Sequence, residues 1–386
     1  MRFDIQVREN MSTSRFNHVR VAGVKTSIPE RFIDVDDELQ YFGNNPKRLE
    51  RQKKMIGYGR RYLADEYTTV TDLAVDAAGK LLKEMHISAS AIESVLFVNQ
   101  SPDYVAPADA CIAHGRLGLN TSVPCFSINL GCSGYVYALW TAHALLESGA
   151  IRNCLVLAGD LPTHTITQAN RKSAPVFGDA ASATYLVRTE EETKSAFVLG
   201  TDGKGWDKLI LPFGGMRLPY DKDTFNYSAT DAGGNTWTPT QSMMKGEDVF
   251  AFTMDVAPQL IKDTADAAGW TNDDISLFAI HQANKQILEM IIGKAEIPPE
   301  KTPIDVFSKY ANNSTNSVVT VVCDQVGKPI RKAVLATFGI GLSWGGAALD
   351  LTDMYNGGIT TYNPPAGRPT REQQIEHWLN YFKGEN

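Results

Sequence analysis

The chain has 386 residues, of which 43% are hydrophobic and 21% charged, and its formal net charge is −7. That length and apolar content suit a globular protein with room for two core-forming units. The acidic balance argues against a nucleic-acid or membrane partner, and no apolar run is long enough to span a bilayer.

The five cysteines are Cys111, Cys125, Cys132, Cys154 and Cys323. They form no CxxC pair and show no metal-ligand spacing, so a reduced, cytoplasmic compartment and no metal site are expected. The N-terminal stretch MRFDIQVRENMSTSRF is polar and mixed in charge, without the apolar core of a signal peptide.

In chain order, His18 to Thr26 alternates as a strand. Residues 35–62 are charged and helical in composition, ending in the basic pair Arg60 and Arg61. Thr71 to Met85 predicts an amphipathic helix capped by Thr71, with Leu73, Ala74, Ala77, Leu81 and Leu82 on one face. Glu93 to Gln100 reads as a buried strand and Ala108 to Leu117 as a helix. The stretch from Phe126 to Leu139, FSINLGCSGYVYAL, reads as a strand, a turn at Gly131, then Cys132 and a helix. That helix is apolar almost all round, through Tyr135, Val136, Leu139, Trp140, Leu145 and Leu146, so it is expected to be buried. Cys132 then sits at a helix N-terminus, where unpaired N–H groups and the helix dipole favour a thiolate. From these residues two readings stand, a reactive nucleophile and an inert core cysteine.

Asn153 to Gly159 is a further buried strand, followed by strands at 182–187 and 195–201. Residues 202–245, rich in Gly, Asp, Thr, Asn and Pro, read as a long irregular excursion of the kind that is functional or disordered. A helix from Val249 to Ala268, a strand from Ser276 to Ile280 and a helix from Asn284 to Ala295 follow. Ile304 to Ser308 leads to a helix at 315–327, and strands are expected at 333–337 and, last, 345–351. Residues 356–369 read as a linker. Arg371 to Phe382 reads as a terminal helix with Thr370 as cap and Ile375, Trp378, Leu379 and Phe382 on one stripe. That stripe is expected to dock on its own subunit or on a partner copy.

The pattern restarts midway. IESVLFVNQ ends at Gln100 and ISLFAIHQ carries His281 at the matching strand end. Gly131-Cys132, a helix and IRNCLVLAG are matched by Ala311-Asn312, a helix and IRKAVLATFG. Two pseudo-symmetric halves are implied, 18–190 with the cysteine and 195–351 with the histidine and asparagine, followed by 352–386 as linker and helix. Ligands of open α/β sheets bind beyond the carboxyl ends of the strands. Cys132, His281 and Asn312 are therefore expected to converge where the halves meet. Taken singly, His281 reads equally as a structural histidine, Asn312-Asn313 as a turn with a cap, Gly339 to Gly346 as a tight turn, and Phe177-Gly-Asp179 as a turn only.

NLGCSGYVYAL, HQAN, KYANNSTNS and FGIGLSWGGAAL resemble, in order and spacing, the signatures of β-ketoacyl-ACP synthase III among the thiolase-like condensing enzymes. The resemblance runs from about His18 to Leu351. It implies a five-layered αβαβα fold and a homodimer, with acyl carrier protein or coenzyme A thioesters as partners and no cofactor. It implies Cys132 as nucleophile, with His281 and Asn312 stabilising the enolate left when a malonyl thioester loses CO₂. The Cys132 amide and the turn of Gly339, Ile340 and Gly341 would hold the oxyanion, and Phe338 would crowd the carboxylate. Gln100 stands where a related synthase chemistry uses a general-acid glutamate.

Departures accompany the match. Arg51 stands where a coenzyme A-stacking tryptophan is usual, His164 where an arginine is common, and Lys285-Gln286 follows HQAN. Ala106 replaces a phenylalanine before Pro107, which would reshape the acyl tunnel. A specialised synthase acting on an ACP-bound or unusual acyl donor is expected, for a secondary product or glycan. The alternatives are an acyltransferase that passes the acyl group on without decarboxylation, and a non-catalytic partner subunit.

Overall fold

The computed structural model describes residues 12–166 and 169–383. The expectation for the first eleven residues lies outside them. The first half contains strands β1 (Ser12–Phe16), β2 (Val19–Pro29) and β3 (Phe32–Asp34), helix α1 (Pro46–Ile56), strand β4 (Arg60–Tyr62), helix α2 (Val70–Glu84) and strand β5 (Val95–Val98). Helix α3 (Asp109–Arg116), strand β6 (Cys125–Ile128), helix α4 (Gly134–Glu147) and strands β7 (Asn153–Asp160) and β8 (Ala180–Arg188) complete it.

Strand β9 (Ser195–Thr201) opens the second half. The excursion after it holds only two-residue strands, β10 (Leu209–Ile210), β11 (Ala229–Thr230), β12 (Thr236–Trp237) and β13 (Met243–Met244). Then come α5 (Gly246–Ala268), β14 (Leu277–Ile280), α6 (Lys285–Ala295), α7 (Val306–Tyr310), α8 (Ser317–Asp324), β15 (Lys332–Gly339) and β16 (Ser343–Asp350). Strand β17 (Tyr355–Tyr362) and helix α9 (Arg371–Lys383) end the described chain.

The internal repeat is visible in the sheets. One sheet runs β17-β2-β8-β7-β5-β6 and the other β1-β9-β16-β15-β14. Matching β2 to β9, β8 to β16, β7 to β15 and β5 to β14 superimposes the two orders. Helices α4 and α8 lie between the sheets, in one core with residues of both. Helices α2 and α3 cover the outside of the first sheet and α5 and α6 the outside of the second. The result is the five-layered αβαβα fold. Helix α4 is apolar all round because both of its sides meet a sheet. Val136, Leu139 and Leu146 are fully buried there, each stabilising the fold by roughly 1.5–3 kcal/mol relative to exposure. Among the described residues no helix is long and apolar enough to cross a membrane.

Some local expectations shift. The α2 cap is Thr69, two residues early, because Asp72 completes a reciprocal capping box with it. Thr71 instead donates its hydroxyl to Asp103 at 2.8 Å. Arg60 and Arg61 lie in a strand, and Arg61 is buried as a bidentate partner of Glu38. The polar β1 forms an edge of the second sheet, paired with β9. Residues 355–362, expected as linker, pair with β2. Gly357 and Gly358 sit at a register shift between Asn356 and Ile359, which breaks the alternation that would have marked a strand.

Helix α9 is capped by Thr370, whose hydroxyl accepts from the Gln373 N–H at 3.3 Å. Trp378 meets Tyr104 edge-on at 6.3 Å, and Arg368 pairs with Asp65 at 2.6 Å. The rest of the stripe stays open: Ile375 is 52% exposed, Leu379 61% and Phe382 81%. Docking on the chain's own body is therefore partial.

His143, inside α4, is fully buried between Phe16 and Phe197. Its Nδ1–H donates to the Leu139 carbonyl at 2.8 Å, and Nε2 has no partner among the described residues. Burial pulls the ring down to about 4 from 6.5. The unfolded ring therefore binds a proton that the folded ring refuses, so this group's stabilising contribution is lost as pH falls from 6.5 through about 4. Relative to His143→Phe, the parent should lose on the order of 3 kcal/mol across that window. Urea unfolding at a series of pH values measures this, and a parent–variant difference that does not change with pH would refute it.

Candidate active site

Cys132 lies in the turn between β6 and α4, closed by the Gly134 N–H on the Gly131 carbonyl at 2.6 Å. Its side chain is buried, 8% exposed. The turn between β15 and β16 covers it. A Cβ on Gly339 would stand 2.7 Å from Cys132 Cβ and 2.8 Å from Sγ, so only glycine permits this approach. The Ile340 backbone N–H and the cysteine's own N–H both reach Cys132. Ser343 ties the two turns together, donating to the Ile340 carbonyl at 2.8 Å and accepting from the Ser133 hydroxyl at 2.6 Å.

The electrostatics differ from the helix-terminus expectation. Burial pushes the Cys132 thiol up, and Asp160 adds to this, while the Ile340 N–H and Ser314 pull it down. Burial thus opposes the thiolate that the helix N-terminus favours.

His281 follows β14 and continues its pairing, with its N–H on the Ala336 carbonyl at 2.9 Å. The ring meets Phe338 edge-on at 5.5 Å. Nδ1 lies 2.6 Å from Ser317 Oγ, at the start of α8. Burial pulls the ring down to about 4, so it is neutral at pH 7. A Ser317 hydroxyl that donates to Nδ1 leaves the ring proton on Nε2, whereas one that accepts from Nδ1–H leaves Nε2 bare.

Asn312 is held by its backbone: its N–H donates to the Val176 carbonyl at 3.0 Å and its carbonyl accepts from Gly178 N–H at 3.1 Å. Its Oδ1 accepts from the Ser314 N–H at 2.9 Å. No protein acceptor among the described residues takes the Nδ2 protons. Ser314 Oγ lies 4.0 Å from Cys132 Sγ.

Cys132 is linked to Asn312 through Ser314, and to His281 through the adjoining Gly339 and Phe338 of the covering turn; Cys132 and His281 follow the strands β6 and β14, and Asn312 follows α7. Phe338, Gly339, Ile340 and Gly341 form the covering turn, Gly341 with φ at 138°. Gln100 is brought in as well, since its side chain fills the space that a side chain on Gly131 would need. Ala106 is not: it is exposed in the loop before α3, beside Val105, which is 97% exposed. Sequence reasoning passed over Ser317, which lies against His281 Nδ1, and gave the 177–179 turn no role. That turn carries the Asn312 backbone, and its Asp179 accepts from Ala64 N–H at 2.8 Å and Thr163 N–H at 3.1 Å. The NNSTNS run contained the first signal, a hydroxyl five residues after Asn312. Among the described residues no group of three His, Cys, Asp or Glu side chains could hold a metal ion.

Gly339→Ala is expected to displace Cys132 and to slow its acylation or alkylation on the order of 10²-fold. Alkylation by iodoacetamide, with circular dichroism as the check on folding, measures this. A folded variant with unchanged reactivity would refute it.

The chain was compared with known families and structures. Residues 126–203 match the model of 3-oxoacyl-[acyl-carrier-protein] synthase III, and residues 265–351 match the model of its C-terminal part. A protein of Campylobacter jejuni, provisionally named 3-oxoacyl-[acyl-carrier-protein] synthase 3, is 35% identical over 350 residues, covering 90% of this chain and 98% of the relative. A β-ketoacyl-[acyl-carrier-protein] synthase III of Rhodopirellula baltica is 30% identical, covering 85% of this chain and 97% of the relative. The crystal structure of a 3-oxoacyl-(acyl-carrier protein) synthase from Burkholderia xenovorans is 31% identical. It superimposes with a TM-score of 0.82, over 92% of this chain and 100% of that one.

Proposed function

Because the chain belongs to the 3-oxoacyl-[acyl-carrier-protein] synthase III family of acyl-transferring condensing enzymes, we propose that it joins a Cys132-bound acyl group to a malonyl thioester, with loss of CO₂. The observation that carries this reading is a pair of neutral donors. Asn312 has its Oδ1 occupied by the Ser314 N–H, which leaves its amide N–H groups to donate, and in this reading the Ser317 hydroxyl donates to His281 Nδ1 and leaves Nε2–H to donate.

Cys132 attacks an acyl thioester, and its thiol proton leaves with the departing thiol. The Cys132 and Ile340 N–H groups hold the oxyanion of that addition. The malonyl thioester then sheds CO₂, and the C–C bonding pair passes into an enolate. His281 Nε2–H and the Asn312 amide stabilise the enolate oxygen without supplying a proton. Phe338 gives the carboxylate an apolar wall, which disfavours the charged ground state. The carbanion attacks acyl-Cys132, forming the 3-oxoacyl thioester, and the released thiolate takes up one proton from solvent.

An acyl carrier protein is the proposed bearer of the malonyl group, and the acyl donor is a specialised one. Arg51 is exposed on α1 together with Lys47, Arg48 and Lys54, a basic face suited to an acidic carrier. The 202–245 excursion packs on the loop after β7, through Ser242 N–H on the Thr165 carbonyl at 2.8 Å and Thr236 N–H on the Ala169 carbonyl at 3.3 Å. It can therefore shape the donor site from outside. The test is mass spectrometry of the protein with a panel of acyl-CoA and acyl-ACP donors, followed by malonyl-ACP. The reading requires an acyl adduct at Cys132, then CO₂ and a 3-oxoacyl-ACP. Loading without CO₂ release would instead mean simple acyl transfer to a hydroxyl or amine.

A homodimer is proposed from two open features. Strand β6 ends its sheet with Phe126 42% exposed, and the α9 stripe beyond Trp378 stays exposed at Ile375, Leu379 and Phe382. Deleting residues 370–386 should weaken self-association measured by sedimentation while acyl loading at Cys132 persists. Unchanged dimer affinity would remove α9 from the interface.

A further inference from the structure

The end of β7 carries a buried carboxylate that the reaction above leaves without a task. Asp160 is 4% exposed, and no ion pair to it is formed among the described residues. Four donors converge on it. Oδ1 accepts from the Gln100 N–H at 2.7 Å and the Ser101 hydroxyl at 3.3 Å. Ser101 is oriented to donate, because its oxygen accepts from Leu161 N–H at 2.9 Å. Oδ2 accepts from the Thr315 N–H at 3.3 Å and the Thr315 hydroxyl at 2.5 Å. A shell of donors with no acceptor suits an ionised carboxylate.

The two pairs of donors come from different halves. Gln100 follows β5 of the first half, and its side chain abuts Gly131, next to Cys132. Thr315 belongs to the second half. It follows Ser314, whose N–H holds Asn312 Oδ1 and whose Oγ lies 4.0 Å from Cys132 Sγ. The Thr315 hydroxyl is also 3.5 Å from the Leu130 carbonyl, in the turn before Cys132.

We propose that Asp160 is a positioning residue for the condensation, tying the strand end beside Cys132 to the turn that aims the Asn312 amide. The inference rests on the roles proposed above for Cys132 and Asn312. The nucleophile and the enolate-holding amide come from separate halves, so their spacing depends on whatever joins the halves at that point. A displacement of about 1 Å there is enough to cost on the order of 10²-fold in rate.

The carboxylate has a second consequence that a merely structural link would lack. The titratable group facing it is Cys132. Its other neighbours, Gln100 and Ser101 from the β5 end and Ser314 and Thr315 from the 313–316 turn, are uncharged. Burial pushes the Asp160 carboxyl up, while hydrogen bonds from Thr315, the Gln100 N–H and the Ser314 side chain pull it down. When ionised, it opposes formation of the Cys132 thiolate.

The experiment uses the full chain with D160N and T315V. It measures acyl loading, condensation with malonyl-ACP, and the pH dependence of Cys132 alkylation by iodoacetamide. Both variants should load acyl, and both should condense at least about tenfold more slowly. Only D160N should move the alkylation midpoint, to lower pH, because only it removes the negative charge. Three results would overturn the proposal: condensation in D160N within about twofold of the parent, loading and condensation falling together, or an alkylation midpoint that stays in place. If D160N does not fold, T315V decides. Loading with slowed condensation upholds the clamp, and unchanged condensation refutes it. Failure of the parent to release CO₂ would refute the condensing reaction itself, and the alkylation profile would still report whether Asp160 acts on Cys132.

Discussion

Replacing Cys132 by alanine should abolish covalent acyl loading and leave the fold intact. The change removes one sulfur atom from a turn whose backbone is held independently, by the Gly131–Gly134 bond and the Ser133–Ser343 link. No other cysteine is placed to substitute. Cys154 and Cys323 lie in the core, where burial pushes both thiols up to about 12. Cys111 and Cys125 lie 3.9 Å apart between α3 and β6, away from the covering turn. The thiol of Cys132 is itself pushed up by burial, yet it alone meets two backbone donors fit to hold an oxyanion. Intact-mass analysis should show an acyl adduct on the parent and none on Cys132→Ala, with melting temperatures within a few degrees. An adduct of equal yield on the variant would locate the nucleophile elsewhere, and peptide mapping would identify it.

The layered fold and the cysteine were legible because each rests on a local pattern. A helix apolar on every side has to be sandwiched, and a strand–glycine–cysteine–helix run has to end in a tight turn. The places of His281 and Asn312 were legible through the repeat, which assigned them strand-end or turn positions before any contact was known. What escaped depends on the partner rather than on the residue. Ser317 is one serine among several until His281 lies against it. Asp160 closes a buried strand like many acidic residues until Thr315 arrives from the other half. The edge strands β1 and β17 lack an apolar period because one is polar and the other is interrupted at Gly357 and Gly358. The surroundings of Cys132 were legible only in part: the helix N-terminus can be read from sequence, whereas burial under Gly339 and Ile340 follows only from the packing of the second half.

His281→Ala should separate the two stages of the reaction. Loading needs Cys132 and its backbone donors, none of which His281 supplies, so the acyl adduct should form at near-parental yield. Decarboxylation needs charge stabilisation on the enolate oxygen, and removal of one of two such donors typically costs 10²–10³ in rate. The sign of the histidine's effect follows from its protonation. Burial holds the ring near 4, so it is neutral across the working range and donates from Nε2 as an uncharged imidazole. Decarboxylation by the parent should therefore show no acid limb near 6.5, the ordinary histidine value; the limb due to His281 should fall near pH 4. Ser317→Ala should show a smaller loss in the same direction, because it frees the ring to carry its proton on either nitrogen without removing the donor. The measurement is release of labelled CO₂ from malonyl-ACP by acyl-loaded enzyme, parent against variants. Parental CO₂ release by His281→Ala would sink the assignment of His281 to the enolate. Loss of acyl loading together with CO₂ release would mean that His281 acts on Cys132 instead, as the base that removes the thiol proton.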